Sequence, residues 1–371
     1  MMEQILLSAQ NEFEELDAYL KHAHANRIFL VCEDVIRMMQ IGQYFDELEA
    51  RMGIGVVRFT DFSPNPLYDS VVAGVKLFHE TGCDFIAAVG GGSAMDVAKC
   101  IKLYSNMNDH ENYLSQKVVP NQIPFLAMPT TAGTGSEATR YAVIYYNGEK
   151  QSISDDSCIP GAVLMDPRVL ETLPLYQKKA TMMDAFCHAV ESFWSVNSTE
   201  ESKELSRRAI GMIMKNKEAY LSNEKAGNAN MLDAAHLAGK AINITQTTAG
   251  HAMCYKLTSL YHIAHGHAAA LCDARLWPYM KAHPELCIDP RGEGYLLQIL
   301  DEIADAMGFR TVEEAIAEFQ EMVDTLFPQK LDVQNSDYDI LKMSVNPVRL
   351  KNHPMKLDES SIDYLYHRIL G

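Results

Sequence analysis

Positive charge and long apolar runs are both scarce in this sequence. The 371 residues include 32 Lys and Arg against 49 Asp and Glu, which gives a formal charge of −17. A surface of that sign repels phosphate backbones and anionic lipid headgroups, so nucleic acid and membrane surfaces are not expected partners. A small anionic substrate is not excluded, because one or two cations in a pocket decide whether it binds.

Cysteine pairs are also absent. The eight cysteines form no C-x-x-C motif, and most of them lie in apolar segments such as FLVCED and AALCDA, a usage typical of reduced core residues. No run of about 18 apolar residues occurs, and the opening MMEQILLSAQNEFEELD has no basic region followed by an apolar one. We therefore expect a cytoplasmic protein that is neither exported nor inserted into a membrane.

The two halves of the chain carry different hydrophobic patterns. RIFLVCE, IGVVRF, DFIAAVGGG and IPFLAMP predict buried parallel strands, separated by helical segments such as SAMDVAKCIKLYSN. Beyond about residue 175 the strand signals fade and long helical patterns follow. The sequence thus predicts an α/β domain with a parallel sheet over residues 1–175 and an all-helical domain over residues 176–371, joined near DPRVLETLPLYQ.

A run of three glycines, Gly90, Gly91 and Gly92, connects an apolar strand to a helix opened by Ser93. Free amides at a helix start, with no side chains in the way, form an anion site that the positive end of the helix dipole favours. We therefore expect this loop to bind the pyrophosphate of a dinucleotide. The alternative is a tight turn that needs glycine for its geometry alone. The run does not match the G-x-G-x-x-G fingerprint.

A second loop, MPTTAGTGSEATR, follows the next apolar strand. It offers the hydroxyl groups of Thr130, Thr131, Thr134 and Ser136. Two such loops at the ends of neighbouring strands indicate one extended ligand, such as a dinucleotide, along the carboxyl edge of the sheet. Asp96 and Lys150 are further candidate cofactor-binding residues.

Glu33 follows the predicted first strand and bears on the choice of cofactor. An acidic group at this place can accept hydrogen bonds from a ribose diol and repel a 2′-phosphate, which favours NAD over NADP. The alternative is an exposed loop acid with no ligand, like the adjacent Asp34.

Asp184 and His188, in TMMDAFCHAVESF, are candidate metal ligands. They are four residues apart on a predicted helix, so they share a face and can share a cation. A pair at this spacing is more often only a local hydrogen bond.

Four more histidines stand in GHAMCYKLTSLYHIAHGHAAALC: His251, His262, His265 and His267. In one straight helix, His251 and His265 would lie roughly 21 Å apart, too far to bind the same ion. The low helix propensity of TSLYHIAHG permits a break that would bring His251 and His265 together.

Four segments, in this order and over nearly the whole chain, resemble the iron-containing (group III) alcohol dehydrogenase family: FIAAVGGGSAMDVAK, AMPTTAGTGSEAT, DAFCHAVES and GHAMCYKLTSLYHIAHGHAAAL. The resemblance implies a nucleotide-binding α/β domain, a helical domain, and a divalent ion held by one Asp and three His. By motif position these ligands fall on Asp184, His188, His251 and His265. Fe²⁺ is the metal expected from the family, and Zn²⁺ also suits imidazole ligands.

The resemblance also places the remaining residues of this stretch. Many relatives carry a further histidine four residues after the third ligand, often discussed as a proton carrier, where this sequence has Tyr255. Tyr255 either donates a hydrogen bond or simply packs. His262 falls in a variable loop, and His267 is expected beside the ligands rather than among them. Tyr255 and His267 join the four ligands as candidate catalytic residues.

The activity that the resemblance implies is hydride transfer between an alcohol carbon and NAD or NADP beside a Lewis-acid metal. Within the family, the histidine-rich stretch and the C-terminal NPVRLKNHPMKLDESS resemble the phosphonoacetaldehyde reductase branch, which forms 2-hydroxyethylphosphonate. A phosphonate dianion needs local cations, and Arg140 and Lys256 are candidates by position, although each is also typical of an ordinary surface charge.

Two alternative functions remain open from the sequence. One is a glycerol dehydrogenase-like or dehydroquinate synthase-like enzyme on the same fold, and the other is a nucleotide-binding protein without catalysis. The expected partners are a small aldehyde or alcohol and a second copy of the chain in a homodimer.

Overall fold

Apolar runs in the first half of the chain form one parallel sheet. The protein is described by a computed structural model over residues 4–371, which divide into a sheet unit, residues 4–131 and 136–171, and a helical unit, residues 132–135 and 172–371. In chain order the strands are β1 Ile5–Ser8, β2 Arg27–Cys32, β3 Gly55–Phe59, β4 Phe85–Gly90, β5 Phe125–Pro129, β6 Tyr141–Tyr146, β7 Glu149–Ser154 and β8 Ala162–Met165. Six of them pair in parallel, in the order β1-β8-β5-β4-β2-β3.

The central strands β4 and β5 are buried along their whole length, and β2 is buried from its second residue onward. Such continuous apolar runs are typical of parallel strands that helices cover on both faces. The helices of this unit are α1 Glu14–His22, α2 Gln40–Met52, α3 Tyr68–Thr81 and α4 Gly92–Tyr104. The edge strand β1 and the short strand β8 were not among the strands that the sequence predicted.

Strands β6 and β7 form a separate antiparallel hairpin that the sequence analysis also missed. Its turn is Asn147-Gly148, and both residues have positive φ angles, 52° and 79°. This is the geometry of the tight hairpin turn that Asn-Gly favours. The hairpin packs against α4, the helix that follows the three glycines.

The helical unit contains nine α-helices among residues 172–371. They are α5 Leu175–Trp194, α6 Glu200–Leu221, α7 Lys225–Thr245, α8 Ala249–Tyr261, α9 His265–Ala282, α10 Glu293–Met307, α11 Val312–Leu326, α12 Asp337–Ser344 and α13 Glu359–Leu370. Every residue of α5 from Met182 to Trp194 is buried, because α6, α7, α9 and α10 pack around it. Any polar residue in this stretch is therefore in the protein interior and needs a partner there.

The short segment 132–135 belongs to the helical unit because it packs on α7 and α5. Gly135 has φ +59°, and a Cβ on Gly239 would lie 2.6 Å from the carbonyl oxygen of Gly135. A Cβ on Gly133 would lie 2.7 Å from the Cβ of Thr181. The backbones approach this closely only because these positions are glycine.

No helix within residues 4–371 combines the length and the apolar character that crossing a membrane requires.

Candidate functional site

Three polar side chains converge inside the helical unit. Asp184 and His188 stand one turn apart on the buried helix α5, and α8 contributes His251. One ligand atom from each of the three lies within 4.8 Å of the other two, and all three residues are buried. The rings of His188 and His251 stack with their centroids 4.5 Å apart. This spacing suits a single divalent ion with bonds of about 2.1 Å.

The chain breaks between α8 and α9 at the place where the sequence permitted it. Helix α8 ends at Tyr261, His262 adopts left-handed backbone angles with φ 53°, and α9 begins at His265. As a result the ring centroids of His251 and His265 are 5.3 Å apart. His265 therefore lies beside the three converging residues, outside the tight cluster that they form, while His262 is exposed.

Unpartnered atoms show that the cluster fits a metal ion. The Oδ1 of Asp184, the Nδ1 of His188 and the Nε2 of His251 are fully buried, and none of them makes a hydrogen bond within the described part of the chain. A buried polar atom without a partner costs roughly 1–3 kcal/mol. Three such atoms, from one carboxylate and two imidazoles, are the donors that Fe²⁺ or Zn²⁺ takes in proteins.

Glu191 is a fourth polar residue on the same face of α5, and it orients His251. Its carboxylate accepts hydrogen bonds from the backbone N–H of His251 at 3.0 Å and from the hydroxyl of Thr248 at 2.6 Å, and it contacts the Nδ1 of His251. The other ring nitrogen, Nε2, consequently faces Asp184 at 3.5 Å. A carboxylate behind a metal-binding imidazole fixes the ring and its tautomer.

The electrostatics of this cluster favour a cation. Burial lowers the pKa of His251, but the negative charges of Glu191 and Asp184 outweigh burial and raise it to about 10. Burial raises the pKa of the Asp184 carboxyl, and the nearby His188 and His251 outweigh it and hold that pKa below its usual range. Two buried carboxylates thus require positive charge between them, which a divalent ion supplies.

Behind Glu191 lies Asp273 of α9, a residue that the sequence analysis did not single out. Burial, reinforced by the charge of Glu191, raises the pKa of the Asp273 carboxyl well above its usual value. A Cβ on Gly250 would collide with both carboxyl groups, so only glycine fits at that position.

Glu191 could have been predicted as a site residue from its spacing in the sequence, because positions 184, 188 and 191 lie on one helical face.

Tyr255 stands one turn after His251 on α8. Its ring stacks with that of His265, with centroids 5.4 Å apart and an angle of 25° between the planes. Its hydroxyl accepts a hydrogen bond from Nη1 of Arg349 at 2.7 Å, and the guanidinium lies 4.7 Å from the ring centroid. Burial raises the pKa of the Tyr255 phenol, so it is neutral at pH 7. Arg349 was not among the predicted site residues.

His267 lies on another side of α9 from His265. Its ring stacks on Phe327 with centroids 3.8 Å apart, and its Nδ1 lies 3.1 Å from the hydroxyl of Tyr176. That hydroxyl accepts a hydrogen bond from the backbone N–H of Ala264 at 2.9 Å. Burial lowers the pKa of His267 to about 4. The hydroxyl of Tyr176 thus links the ring of His267 to the backbone just before His265.

In the sheet unit, the three glycines lie where β4 meets α4. A Cβ on Gly90 would lie 2.6 Å from the Cβ of Ala94, so packing requires glycine there. Gly91 has φ −79°, which any residue adopts, and a Cβ on it would meet only Thr131, at 3.5 Å. Turn geometry therefore accounts for Gly90 but not for Gly91.

Other predicted cofactor-binding residues lie around this loop. The backbone N–H of Thr130 donates to the carbonyl of Gly90 at 3.0 Å, which ties the end of β5 to the end of β4. Glu33 is exposed at the end of β2, the other neighbour of β4. Gly92 and Ser93 form the first turn of α4. Thr134 falls in the segment 132–135 of the helical unit.

Asp96 and Ser136 are engaged in an internal network. The carboxylate of Asp96 accepts hydrogen bonds from the hydroxyl of Ser136 at 3.0 Å and from the backbone N–H of Val143 at 3.1 Å. The buried ammonium of Lys99 also donates to Ser136, at 3.0 Å. Burial raises the pKa of Asp96 to about 6. These contacts join α4, the helix that follows the three glycines, to the hairpin.

The cations named from the sequence have different surroundings. Lys150 lies on β7 opposite Tyr145 of β6, and its charge offsets part of the rise that burial causes in the pKa of Asp96. Arg140, in the sheet unit, forms an ion pair with Asp156 at 2.8 Å. Lys256 directly follows Tyr255 on α8 and is half-buried.

Comparison with known proteins gives the family. Residues 4–167 match the description "Iron-containing alcohol dehydrogenase", and residues 178–369 match "Fe-containing alcohol dehydrogenase family, C-terminal". The chain belongs to the iron-containing alcohol dehydrogenase family. The predicted family and fold are thereby confirmed, and with them the enzyme class, an oxidoreductase that acts on alcohol or aldehyde groups.

Three similar proteins illustrate the range of the family. The chain is 29% identical to phosphonoacetaldehyde reductase of Streptomyces viridochromogenes over 318 residues, which cover 82% of this chain and 79% of that protein. It is 29% identical to alcohol dehydrogenase 4 of Saccharomyces cerevisiae over 281 residues, or 73% and 72% of the two chains. The solved structure of sulfoacetaldehyde reductase from Bifidobacterium kashiwanohense in complex with NAD⁺ has a TM-score of 0.85 at 23% identity and covers 100% and 98% of the two chains.

Proposed function

We propose that this protein is a metal-dependent, NAD(P)-linked aldehyde reductase. The observation that carries the proposal is the convergence of unpartnered, buried donor atoms from Asp184, His188 and His251 beside His265 in a member of this family. The reaction converts an aldehyde, a reduced nicotinamide cofactor and a proton into an alcohol and the oxidised cofactor. A hydride goes from the nicotinamide to the carbonyl carbon, and the proton goes to the carbonyl oxygen.

In this proposal Asp184, His188, His251 and His265 hold the metal. A bound divalent ion supplies Lewis acidity, which polarises a carbonyl group. Glu191 keeps the Nε2 of His251 directed at the cluster by binding the opposite ring nitrogen. The stacked ring of Tyr255 restricts the orientation of His265. These supports reduce the reorganisation that substrate binding would otherwise require.

We propose that the cofactor is bound in the sheet unit by Gly90, Gly91, Gly92 and Ser93. Gly91 supports this, because neither its backbone angles nor its neighbours require a glycine, whereas a phosphate approaching the amides would. Exposed Glu33 at the end of β2 can accept hydrogen bonds from a ribose and repel a 2′-phosphate, which favours NAD. Thr130 and Thr131 border the same loop.

The substrate that we propose is phosphonoacetaldehyde, reduced to 2-hydroxyethylphosphonate. The support is the similarity to a relative of that name over most of both chains. The name of the structural neighbour, sulfoacetaldehyde reductase, describes another acetaldehyde with a tetrahedral oxyanion. Both substrates combine a small carbonyl group with an anionic end, so both need a cation near the metal centre.

A second copy of the chain is the macromolecular partner that we propose. The edge strand β1 leaves the side chains of Ile5 and Leu6 about half exposed, at 49% and 53%. An apolar edge strand of this kind is a surface that proteins usually cover. Sedimentation equilibrium would show a homodimer, and a monomer at all concentrations would contradict this part of the proposal.

The state of the cysteines supports a location for the protein. All eight cysteines are free and seven of them are buried, which suits a reducing cytoplasmic setting.

Metal analysis combined with a nicotinamide absorbance assay tests the main proposal. Protein stripped of metal and then loaded with Fe²⁺ or Zn²⁺ should bind about one ion per chain and oxidise NADH or NADPH only when an aldehyde is present. Phosphonoacetaldehyde should have a much higher kcat/KM than propanal, its uncharged counterpart. Equal kcat/KM values would refute the substrate, and no turnover with any aldehyde after loading would refute the activity.

A further inference from the structure

A cation that the sequence analysis overlooked lies beside the candidate metal centre. Arg349 opens a short helical turn, Arg349–Asn352, in the connection between α12 and α13. It reaches α8 across 94 positions of sequence, where its Nη1 donates to the hydroxyl of Tyr255 at 2.7 Å. Its guanidinium also lies 4.7 Å from the centroid of the Tyr255 ring. The charged group of Arg349 is therefore held against the hydroxyl and the ring of one side chain.

Tyr255 links this cation to the metal-binding residues. Its ring stacks with His265, and the two centroids are 5.4 Å apart. The guanidinium of Arg349 lies 4.7 Å from the Tyr255 ring centroid, which in turn lies 5.4 Å from that of His265, so the guanidinium is at most about 10 Å from the His265 ring. An acetaldehyde with a tetrahedral anion on the neighbouring carbon is about 5 Å long, and a contact of about 3 Å at each end extends its reach to roughly 10 Å.

We propose that Arg349, held in place by Tyr255, recognises the anionic end of the substrate, a phosphonate or sulfonate group attached to acetaldehyde. This inference rests on the proposed function and adds the residue that determines specificity. A guanidinium presents several N–H donors in one plane, an arrangement that fits two oxygens of a tetrahedral oxyanion. The hydrogen bond and the cation–π contact with Tyr255 fix the plane of the guanidinium before the substrate arrives, which reduces the entropy lost on binding.

The identity of residue 255 supports this assignment. A histidine at this position would repel a guanidinium whenever it was protonated. A neutral phenol instead accepts the hydrogen bond from Arg349 and offers its ring face to the cation. The tyrosine at position 255 thus provides a neutral support for Arg349.

The two cations named from the sequence fit this role less well. Arg140 forms an ion pair with Asp156 at 2.8 Å. Lys256 is adjacent to Tyr255 in sequence, but one residue along a helix turns the side chain by about 100° away from the face that carries His251 and Tyr255. Lys256 is therefore a suitable matched control, since it is a cation on the same helix turn outside the stacked group.

Steady-state kinetics of the metal-loaded enzyme test the proposal with four variants: Arg349→Gln, Arg349→Lys, Tyr255→Phe and Lys256→Gln. The quantity to compare is the ratio of kcat/KM for phosphonoacetaldehyde to kcat/KM for propanal. Loss of one or two charge-assisted bonds should lower this ratio on the order of 10- to 100-fold in Arg349→Gln. Arg349→Lys and Tyr255→Phe should show smaller losses, because one keeps the charge and the other keeps the ring, and Lys256→Gln should keep the wild-type ratio.

Sulfoacetaldehyde as a third substrate shows whether the site recognises a phosphonate or a sulfonate group. A larger Arg349→Gln effect with phosphonoacetaldehyde assigns the site to the phosphonate dianion, and a larger effect with sulfoacetaldehyde assigns it to the sulfonate. The proposal is overturned if Arg349→Gln leaves both ratios unchanged, or if it slows all three aldehydes equally while raising KM for the nicotinamide cofactor. It is also overturned if Lys256→Gln gives the loss expected of Arg349→Gln.

Calorimetric titration with ethylphosphonate keeps this inference separable from the proposed function. Ethylphosphonate carries the anionic end without an aldehyde, so its binding needs no turnover. Wild-type and Lys256→Gln proteins should bind it alike, and Arg349→Gln should bind it at least tenfold more weakly. If the wild type reduces none of the aldehydes but shows this pattern, the proposed function fails and the anion site stands. Equal binding by a folded Arg349→Gln, checked by its thermal melting curve, would refute the anion site.

Discussion

The metal-binding cluster in the helical unit and the glycine loop in the sheet unit differ in how they reveal a ligand. In the cluster, buried donor atoms of Asp184, His188 and His251 lack hydrogen-bond partners. In the loop, the sign is a missing side chain, because Gly91 has ordinary backbone angles and room for a Cβ. A cation site is thus recognised by buried polar atoms that lack hydrogen-bond partners. A site that binds phosphate through backbone amides is recognised by a glycine that neither the backbone angles nor the packing requires. The first is the stronger indication, because burying unsatisfied groups destabilises the fold.

The largest effect that this comparison predicts is at His265. His265→Ala should abolish turnover and lower metal affinity by at least about a hundredfold, because a ligand is lost, whereas a supporting residue accounts for about 10- to 100-fold. Metal content after gel filtration and competition with a chromophoric chelator measure the effect. His262→Ala is the matched control, since His262 is exposed at the same helix break and should leave both values unchanged. Undiminished metal content in His265→Ala would remove it from the ligand set.

A smaller effect is expected at Glu191, which supports a ligand without being one. Glu191→Gln keeps the size of the side chain but removes the negative charge beside Nδ1 of His251, so metal affinity should fall about 10- to 100-fold. The measurement is chelator competition at pH 7. Glu218→Gln, on the exposed face of α6, serves as the control for loss of one negative charge. Identical affinities for Glu191→Gln and the wild type would mean that the carboxylate only fills space.

Two substitutions in the glycine loop distinguish an effect on ligand binding from an effect on folding. Gly91→Ala should leave the melting temperature nearly unchanged, because the added Cβ meets Thr131 at an ordinary 3.5 Å, and should weaken NADH binding measured by calorimetry. Gly90→Ala, where the Cβ crowds Ala94 at 2.6 Å, should instead destabilise the fold by about 1–3 kcal/mol. The metal content of both variants should stay that of the wild type. An unchanged dissociation constant for NADH in Gly91→Ala would make the loop purely structural.

A last effect concerns acid stability rather than ligand affinity, and it arises at a buried histidine whose pKa is also influenced by the charge of Glu191. His353 is fully buried, neither ring nitrogen has a partner within the described residues, and burial lowers its pKa to about 4. The unfolded chain takes up this proton near pH 6.5, so between pH 6.5 and 4 the stability of the fold falls as the pH falls, by up to about 1.4 kcal/mol per pH unit.

His353→Leu should remove the contribution of His353 to the loss of stability as the pH falls. Urea unfolding of the metal-free protein at pH 7 and pH 5 measures it, since without metal the other histidines contribute equally to both proteins. A variant with the wild-type difference between the two pH values would show that His353 is not the group that titrates.

Sequence patterns predicted the strands that are longer apolar runs, including the partly buried edge strand β3, and missed the four-residue strands β1 and β8 and the hairpin. Strands β2, β4 and β5 are unbroken apolar runs and were found, whereas β1 is a four-residue edge strand with half of its residues exposed. The β6–β7 hairpin was predictable, because Asn147-Gly148 between alternating residues is a strong turn signal. Its polar strand β7, EKQSIS, carries little of the hydrophobic pattern on which the prediction relied.

The residues of the candidate site also fall into two groups, those with a local signal in the sequence and those brought in by tertiary packing. Local chemistry indicated Asp184 and His188, and weak helix propensity in TSLYHIAHG indicated the break that brings His265 near His251. Arg349 had no local signal, because its contact with Tyr255 joins segments 94 residues apart through the packing of a loop. Contacts of that kind depend on tertiary structure and cannot be inferred from spacing.

The close contact between Gly135 and Gly239 constrains how this chain can evolve. A methyl group on Gly239 would lie 2.6 Å from the backbone of Gly135, and one on Gly135 would collide with the backbone of Gly239. Since each obstacle is main chain, no change of side chain at the other position relieves it. The two positions therefore cannot compensate for each other, and a mutation at either can be rescued only by moving the segment 132–135 away from α7.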